Sequence, residues 1–347
     1  VSPSAAASSS AEERAAYVLL ERAGEPEPSD ADWLQAWPAW RSSCAALTTG
    51  QRPQRLLWEP VCAAAARLRA NTGAQVRAFF AAQFDEYRVL ALEAGGTSRD
   101  TGLFTAYYEP SLRASRTRHG DFTVPVYRAP GVVPLAPRAE LMAQGSLQGN
   151  ELVWLQDPLD AFFLEVQGSG RVQLDDGSQI RLAYAASNGQ AYRSIGRWLI
   201  EQEQLPADQV TMQAIRGWAQ THPQRVRELL DQNPRVIFFR EQALGDARAG
   251  PIGTQGQPLT AGVSVAVDPR YLPLGAPLVL CAEASAHTPA LVRLAVAQDT
   301  GGAIRGPLRI DWFLGSGSAA GQSAGLLHTT GSVRLFVPRG VAPQALL

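Results

Sequence analysis

Three aspartates near the C-terminal end of the chain follow or interrupt apolar, strand-like runs. Asp311 lies in LRIDWFLGSG between Ile310 and Trp312. A short acidic side chain in mid-strand competes for backbone hydrogen bonds and resists burial, so its presence there needs a reason. Its neighbours suit a general acid, because Trp312 and Phe313 are able to exclude water and raise the carboxyl pKa. Asp299 stands twelve positions earlier, in VAQDTGGAIRG. Together they form a pair of carboxylates of the kind general acid/base chemistry uses, while D-T-G-G is also good turn chemistry, with the aspartate capping its own glycine amides. Asp268, in VAVDPRYLPLG, is a third carboxylate at a strand end, where Asp-Pro is equally an ordinary turn signal.

Three other segments hold groups that fit a neutral, polyhydroxylated ligand. FTAYYEP (104–110) places two tyrosines beside Glu109, the run 165–170 (EVQGSG) alternates polar groups in a β-like frame, and YAASNG (184–189) is dense in amides and hydroxyls. Aromatic faces stack on sugar rings and amides bond sugar hydroxyls. Core aromatics and turn residues account for each segment alone, but less well for all three beside an aspartate pair.

Other chemistries are excluded by composition. The chain has 347 residues and a formal net charge of −1, with Lys+Arg at 31 against Asp+Glu at 32, and every one of those cations is arginine. Lysine Schiff bases, phosphate-loop lysines and Ser-Lys dyads are therefore impossible. No basic field exists for nucleic acid. No apolar run reaches the roughly 18 residues a membrane-spanning helix needs. His119, His222, His287 and His328 show no metal-ligand spacing, and no serine sits in a convincing G-x-S-x-G context, Gly315-Ser316-Gly317 resembling it only superficially. No metal or cofactor is expected. Cys44, Cys62 and Cys281 show no C-x-x-C spacing. Cys44 and Cys62 flank a short segment and would pair in an oxidising compartment, with buried reduced thiols an equally open reading. The start at Val1, followed by the small-residue stretch 2–10, reads as a processed protein whose export signal lies outside this sequence.

The elements that must position these residues fall into zones. Ala11–Leu20, Asp30–Ser43, Pro60–Ala70 and Asn71–Phe84 read as helices, with Asp30 and Asn71 at the caps. Near residues 94–97 the pattern turns to strands, at Gly102–Tyr108, Phe122–Tyr127 and Gln179–Tyr184. Tyr192–Glu201 and Ala207–Asp231 read as helices, with Pro206 and Pro223 marking starts or breaks. Short strands then recur from 236 to 338 (236–239, 262–267, 277–280, 291–297, 308–314 and 332–337), separated by Gly/Pro turns, which favours a barrel over an open parallel sheet.

The segments GVSVAVDPRYLPLG, AQDTGGAIRG and IDWFLGSG resemble the three-aspartate (3D) domain of the membrane-bound lytic murein transglycosylase A (MltA) family. FTAYYEP, DPLDAFFLEVQGSGR, YAASNGQAYRSIG and NPRVIFFRE resemble the rest of that family in the same order, so the resemblance runs from about Thr101 to Pro338. D-T-G-G alone is shared with unrelated barrels and aspartic proteases; several long motifs in one order are specific. Arg305 stands where the family often has lysine. The resemblance implies a mainly β fold with N-terminal helices. A double-psi β-barrel domain would comprise 1–110 and 236–347, with the 3D region at about 262–338, and 111–235 would be a smaller, β-rich inserted domain with a groove between the two.

By the same resemblance the chain is a peptidoglycan lytic transglycosylase that cuts the β-1,4 MurNAc–GlcNAc bond and leaves 1,6-anhydromuramic ends. Asp311 maps to the catalytic acid/base and Asp299 and Asp268 to supporting positions, while Thr105, Tyr107, Gln167 and Ser187 map to the glycan-binding surface. Peptidoglycan glycan strands are the implied partner, and the implied location is the periplasm, on an outer-membrane lipid anchor upstream of Val1. Two alternatives stand beside this: a two-carboxylate hydrolase using Asp311, Asp299 and water, and a non-enzymatic glycan-binding barrel.

Overall fold

A computed structural model describes residues 14–21, 24–49, 53–93, 95–246 and 249–347. The small-residue stretch 2–10 and the first residues of the expected Ala11–Leu20 helix lie outside them. Arg14 opens a strand instead of continuing a helix: β1 (Arg14–Leu19) pairs with β2 (Phe84–Leu92), with Tyr17 opposite Val89. Local helix propensity in RAAYVL is overridden by this long-range pairing.

Between these strands lie α1 (Asp30–Leu47), α2 (Arg55–Arg67) and α3 (Gly73–Gln83). The caps sit one residue away from the expected ones. Ser29 forms a capping box with Asp32 and Thr72 forms one with Gln75, satisfying the first free amides of α1 and α3. Pro60 lies inside α2 rather than at its start. The helices bury an aromatic cluster in which Phe80 lies 5.1 Å from Trp33, 5.4 Å from Trp40 and 4.9 Å from Phe84, centroid to centroid.

The remaining elements in chain order are β3 (Ser98–Arg99), β4 (Thr101–Glu109), β5 (Ser111–Ala114), β6 (Val124–Tyr127), α4 (Arg138–Gln144), β7 (Glu151–Leu155), α5 (Pro158–Gln167), β8 (Ser169–Leu174), β9 (Gln179–Ser187), α6 (Ile195–Glu201), α7 (Met212–Thr221), α8 (Val226–Asp231), β10 (Ile237–Ala243), β11 (Ser264–Ala266), β12 (Pro277–Ala282), β13 (Leu291–Asp299), β14 (Ile310–Ser316), α9 (Ser318–Leu326) and β15 (His328–Pro338). The expected helix Ala207–Asp231 is broken at His222–Pro223, and EVQGSG is not a β frame: Glu165 and Gln167 end a helix.

The chain divides into two compact units, one of Val1–Phe104, Val265–Asp311 and Thr329–Leu347, the other of Thr105–Ser264 and Trp312–His328. In the sheet based on the first unit the strand order β15-β12-β13-β11-β14-β4 closes through a β4–β15 pairing into a six-stranded barrel, with β2 and β1 extending from β15. Closure leaves the barrel strands no free edge. The apolar runs expected to be strands are buried on both faces: Val265, Val267, Leu278, Val279, Leu280, Ala295, Val296, Ile310 and Leu335 are fully buried.

The second unit has a four-stranded sheet, β10-β9-β8-β5, in which only the β5–β8 pair is parallel, and a two-stranded sheet, β6–β7. Helices α4 to α9 also belong to it. The expected insert, 111–235, lies wholly within this unit, which also takes in 105–110, 236–264 and 312–328.

Candidate functional site

The barrel brings the three aspartates to three consecutive strands of its sheet, two of them on β13 and β14 and one just past the end of β11. Asp299 is the last residue of β13, Asp268 lies two residues beyond β11, and Asp311 is the second residue of β14. The end of β13 is held to the segment after β11 by the Val267 N–H, which donates to the Asp299 carbonyl at 3.0 Å.

Asp268 is fully buried and its carboxylate is engaged on every side. The Arg270 guanidinium donates to it from Nη2 at 2.7 Å and from Nε at 3.1 Å, the Arg270 N–H at 3.2 Å and the Gly306 N–H at 2.9 Å. Burial pushes this carboxyl up, but the Arg270 and Gly306 hydrogen bonds and the Arg270 charge outweigh it, leaving its pKa below the ordinary carboxylate value. Asp-Pro here is therefore more than a turn signal. Asp268 ties the segment after β11 to the loop that leads from Asp299 to Asp311. That segment is anchored again by Tyr17 of β1, whose hydroxyl donates to the Tyr271 carbonyl at 2.7 Å. Burial, with Tyr271 adding to it, pushes the Tyr17 hydroxyl up to about 12.

Asp299 is half-buried, and the residue before it is fixed more rigidly. Gln298 is fully buried and donates from Nε2 to the Ala39 carbonyl at 3.0 Å and to Ser43 Oγ at 2.8 Å, pinning the end of β13 to α1.

Asp311 is half-buried, with Ile310 and Trp312 buried on either side of it in sequence. Strand alternation puts Asp311 and Phe313 on one side of β14 and Trp312 on the other, so of the two expected apolar neighbours Phe313 is the one on its side. Arg309 lies two residues before it. Burial lowers the Arg309 pKa, and the Asp311 charge acts the other way, so the two groups sense each other. Arg309 Nη1 donates to the carbonyls of Leu103, at 3.3 Å, and Ile310, at 2.5 Å. β4 passes close to this loop: a Cβ on Gly102 would lie 2.3 Å from the Leu308 carbonyl oxygen, so only glycine fits there.

Among the other expected site residues, Thr105 and Tyr107 are two apart on β4, half-buried and on the same side of the strand. The Tyr107 ring lies 5.4 Å from that of Phe313. Gln167 comes to the same strand by a different route. It ends α5, and its Oε1 accepts the Tyr108 N–H at 2.9 Å, leaving its amide NH₂ as the remaining donor. Ser187 ends β9, and its Oγ accepts from the Gly189 N–H at 3.4 Å.

Glu109, the carboxylate that the sequence places beside the two tyrosines, has a structural role. It is fully buried and accepts from Arg181 Nε at 2.5 Å, Arg171 Nε at 2.8 Å and Ser316 Oγ at 2.8 Å, while both arginines also donate to the Ala249 carbonyl. This network and the Asp268–Gly306 link were not found by sequence reasoning. The only local signals were Arg270, two residues after Asp268, and a carboxylate at the end of FTAYYE.

Cys44 and Cys62 form a disulfide between α1 and α2, with their Cα atoms 5.5 Å apart. No helix among the described residues is long and apolar enough to cross a membrane.

Residues 103–240 match the MltA specific insert domain and residues 263–337 the 3D domain. The chain is similar to the membrane-bound lytic murein transglycosylase A of Escherichia coli K12, 38% identical over 244 residues, which are 66% of this chain and 64% of that protein. The match thus spans just under two thirds of the length of that curated relative. Among solved structures, the lytic transglycosylase LtgG of Burkholderia pseudomallei is 40% identical, with 95% of this chain and 98% of that chain covered and a TM-score of 0.62. Escherichia coli MltA with bound chitohexaose is 30% identical, with 93% and 94% covered and a TM-score of 0.74.

Proposed function

This chain belongs to the membrane-bound lytic murein transglycosylase A family, and from that premise we propose that it cleaves the β-1,4 bond between N-acetylmuramic acid and N-acetylglucosamine in peptidoglycan, leaving a 1,6-anhydromuramic end. The observation that carries the proposal is the placement of Asp299 on β13, Asp268 just past the end of β11 and Asp311 on β14, three neighbouring barrel strands, within the segment matched by the 3D domain.

In this reading Asp311, protonated, gives its proton to the glycosidic oxygen as the C1–O bond breaks and the muramoyl ring takes on oxocarbenium character. The resulting carboxylate then accepts the proton of the C6 hydroxyl of the same ring, and O6 bonds to C1. No water is consumed. One carboxyl does the work of two because the nucleophile is tethered to the reacting ring and its effective concentration is high. Asp299 supports developing positive charge or holds a sugar hydroxyl, and Asp268 fixes the loop that leads into β14. Thr105, Tyr107, Gln167 and Ser187 serve as glycan-binding groups, with the free amide of Gln167 bonding a hydroxyl and the Tyr107 ring stacking on a sugar face. The chitohexaose bound to the Escherichia coli relative supports an oligosaccharide ligand.

The disulfide and the name of the relatives support a location in an oxidising, membrane-associated compartment: the periplasm, with an outer-membrane lipid anchor upstream of Val1. The test is incubation with purified sacculi and mass spectrometry of the released muropeptides. Anhydro products from the wild-type chain, and none from Asp311→Asn with an unchanged circular dichroism spectrum, are expected. Hydrated products, or an active Asp311→Asn protein, would sink the assignment.

A further inference from the structure

The loop between Asp299 and Asp311 does more than connect strands. With β3 and β4 it walls a cavity of about 230 Å³, lined by Arg99, Leu103, Arg305, Gly306, Leu308 and Arg309. Three of these six residues carry guanidinium groups. Arg99 donates from Nη1 to the Thr101 carbonyl at 2.8 Å and has Glu93 3.5 Å from its Nε. Arg309 is oriented by the carbonyls of Leu103 and Ile310 and senses Asp311. Arg305 is exposed and makes no hydrogen bond or ion pair among the described residues, so its whole fork is open to a ligand. Guanidinium groups converging on a small concavity match the planar, two-oxygen geometry of a carboxylate.

Resting on the transglycosylase reading above, we propose that this cavity binds a carboxylate of the peptide stem that muramic acid carries on its lactyl group. Arg309 is two residues from Asp311, at most about 7 Å along the chain, so the cavity lies beside the carboxyl assigned to the chemistry. The glycan backbone itself is neutral and has no use for three cations. The stem is the part of the substrate that is anionic, and it leaves the sugar at the ring whose C1 reacts. An anion seated there also offsets the positive field of Arg309 at Asp311.

Binding is measured by calorimetry on the uncleaving Asp311→Asn protein, with a disaccharide-tetrapeptide muropeptide and with the same disaccharide whose lactyl carboxyl is capped as a simple neutral amide in place of the peptide. The stem-bearing ligand is expected to bind about tenfold tighter, equivalent to about 1.4 kcal/mol. In Arg305→Gln that ratio should fall toward one, and in Arg305→Glu below it. Equal affinity for the two ligands, or a ratio unchanged by both substitutions, would overturn the proposal. Inorganic phosphate is titrated in parallel: phosphate binding as tight as the muropeptide, with no gain from the stem, would reassign the cavity to a free anion. Sacculus cleavage by the wild-type chain is scored separately. Its absence would defeat the transglycosylase reading, whereas the binding ratio reports on the cavity alone.

Discussion

The backbone N–H of Gly306 donates to Oδ2 of Asp268 at 2.9 Å, so a loop that comes after β13 is held by a carboxylate that comes after β11. Thirty-eight residues separate the two in sequence. Gly306 has φ +98°, a left-handed conformation that glycine adopts without strain and other residues rarely take. The three aspartates are therefore not equivalent: Asp268 is consumed by Arg270 and Gly306, whereas Asp311 sits half-buried on a strand.

Replacing Asp268 by alanine leaves the buried Gly306 N–H without its acceptor and should cost about 2–3 kcal/mol. The pH dependence has a definite sign. The folded carboxyl titrates below its ordinary value, so its contribution is fully present above the unfolded pKa and is lost as pH falls through the folded one. Thermal melts of wild type and Asp268→Asn should differ by a constant amount around neutrality, and the gap should close in acid below the normal carboxylate range. A gap independent of pH would contradict the charge-based account.

Digestion of sacculi in ¹⁸O-labelled water separates the transglycosylase from a two-carboxylate hydrolase. Intramolecular attack by O6 places no solvent oxygen at C1, so the muramoyl ends should carry no label. Label at C1 would show that water is the nucleophile and would favour the two-carboxylate hydrolase.

Reduction of Cys44–Cys62 should loosen α1 and α2. The bond spans 18 residues, and the chain-entropy argument gives about 3 kcal/mol for a loop of this size. Denaturant unfolding with and without reductant checks this, with Cys44→Ser/Cys62→Ser as the control that reductant should not affect.

Glu109→Ala would strand Arg181, which is only 3% exposed, and should destabilise the protein by about 3–5 kcal/mol. Glu109→Gln keeps acceptor capacity and should cost less. A Glu109→Ala protein as stable as wild type by chemical denaturation would rule out the buried pair as a structural clamp.

Much of the barrel was legible because its strands are short apolar runs bounded by Gly and Pro, and such a run reports its burial in its own composition. The segments 277–280, 291–297 and 332–337 all lie within observed strands. Arg14–Leu19 was misread for the opposite reason: RAAYVL is helix-like taken alone and becomes a strand by pairing with residues some seventy positions later. The caps were misplaced by one residue because Ser29 and Asp30, like Asn71 and Thr72, are both good cap types, and the choice depends on which side chain reaches the third amide.

Residue types and spacing on their own named Asp268, Asp299 and Asp311, excluded lysine, metal-histidine and nucleic-acid chemistry, and carried enough ordered motifs to identify the family. Only the tertiary structure decided what each carboxylate is bound to. It placed Glu109 with arginines 62 and 72 residues away, joined Asp268 to Gly306, and gathered Arg99, Arg305 and Arg309 around one cavity. The physical reason is range. Strand propensity, turns and caps depend on a few adjacent residues, whereas the partner of a buried charge is set by strand order and register, which bring distant residues together.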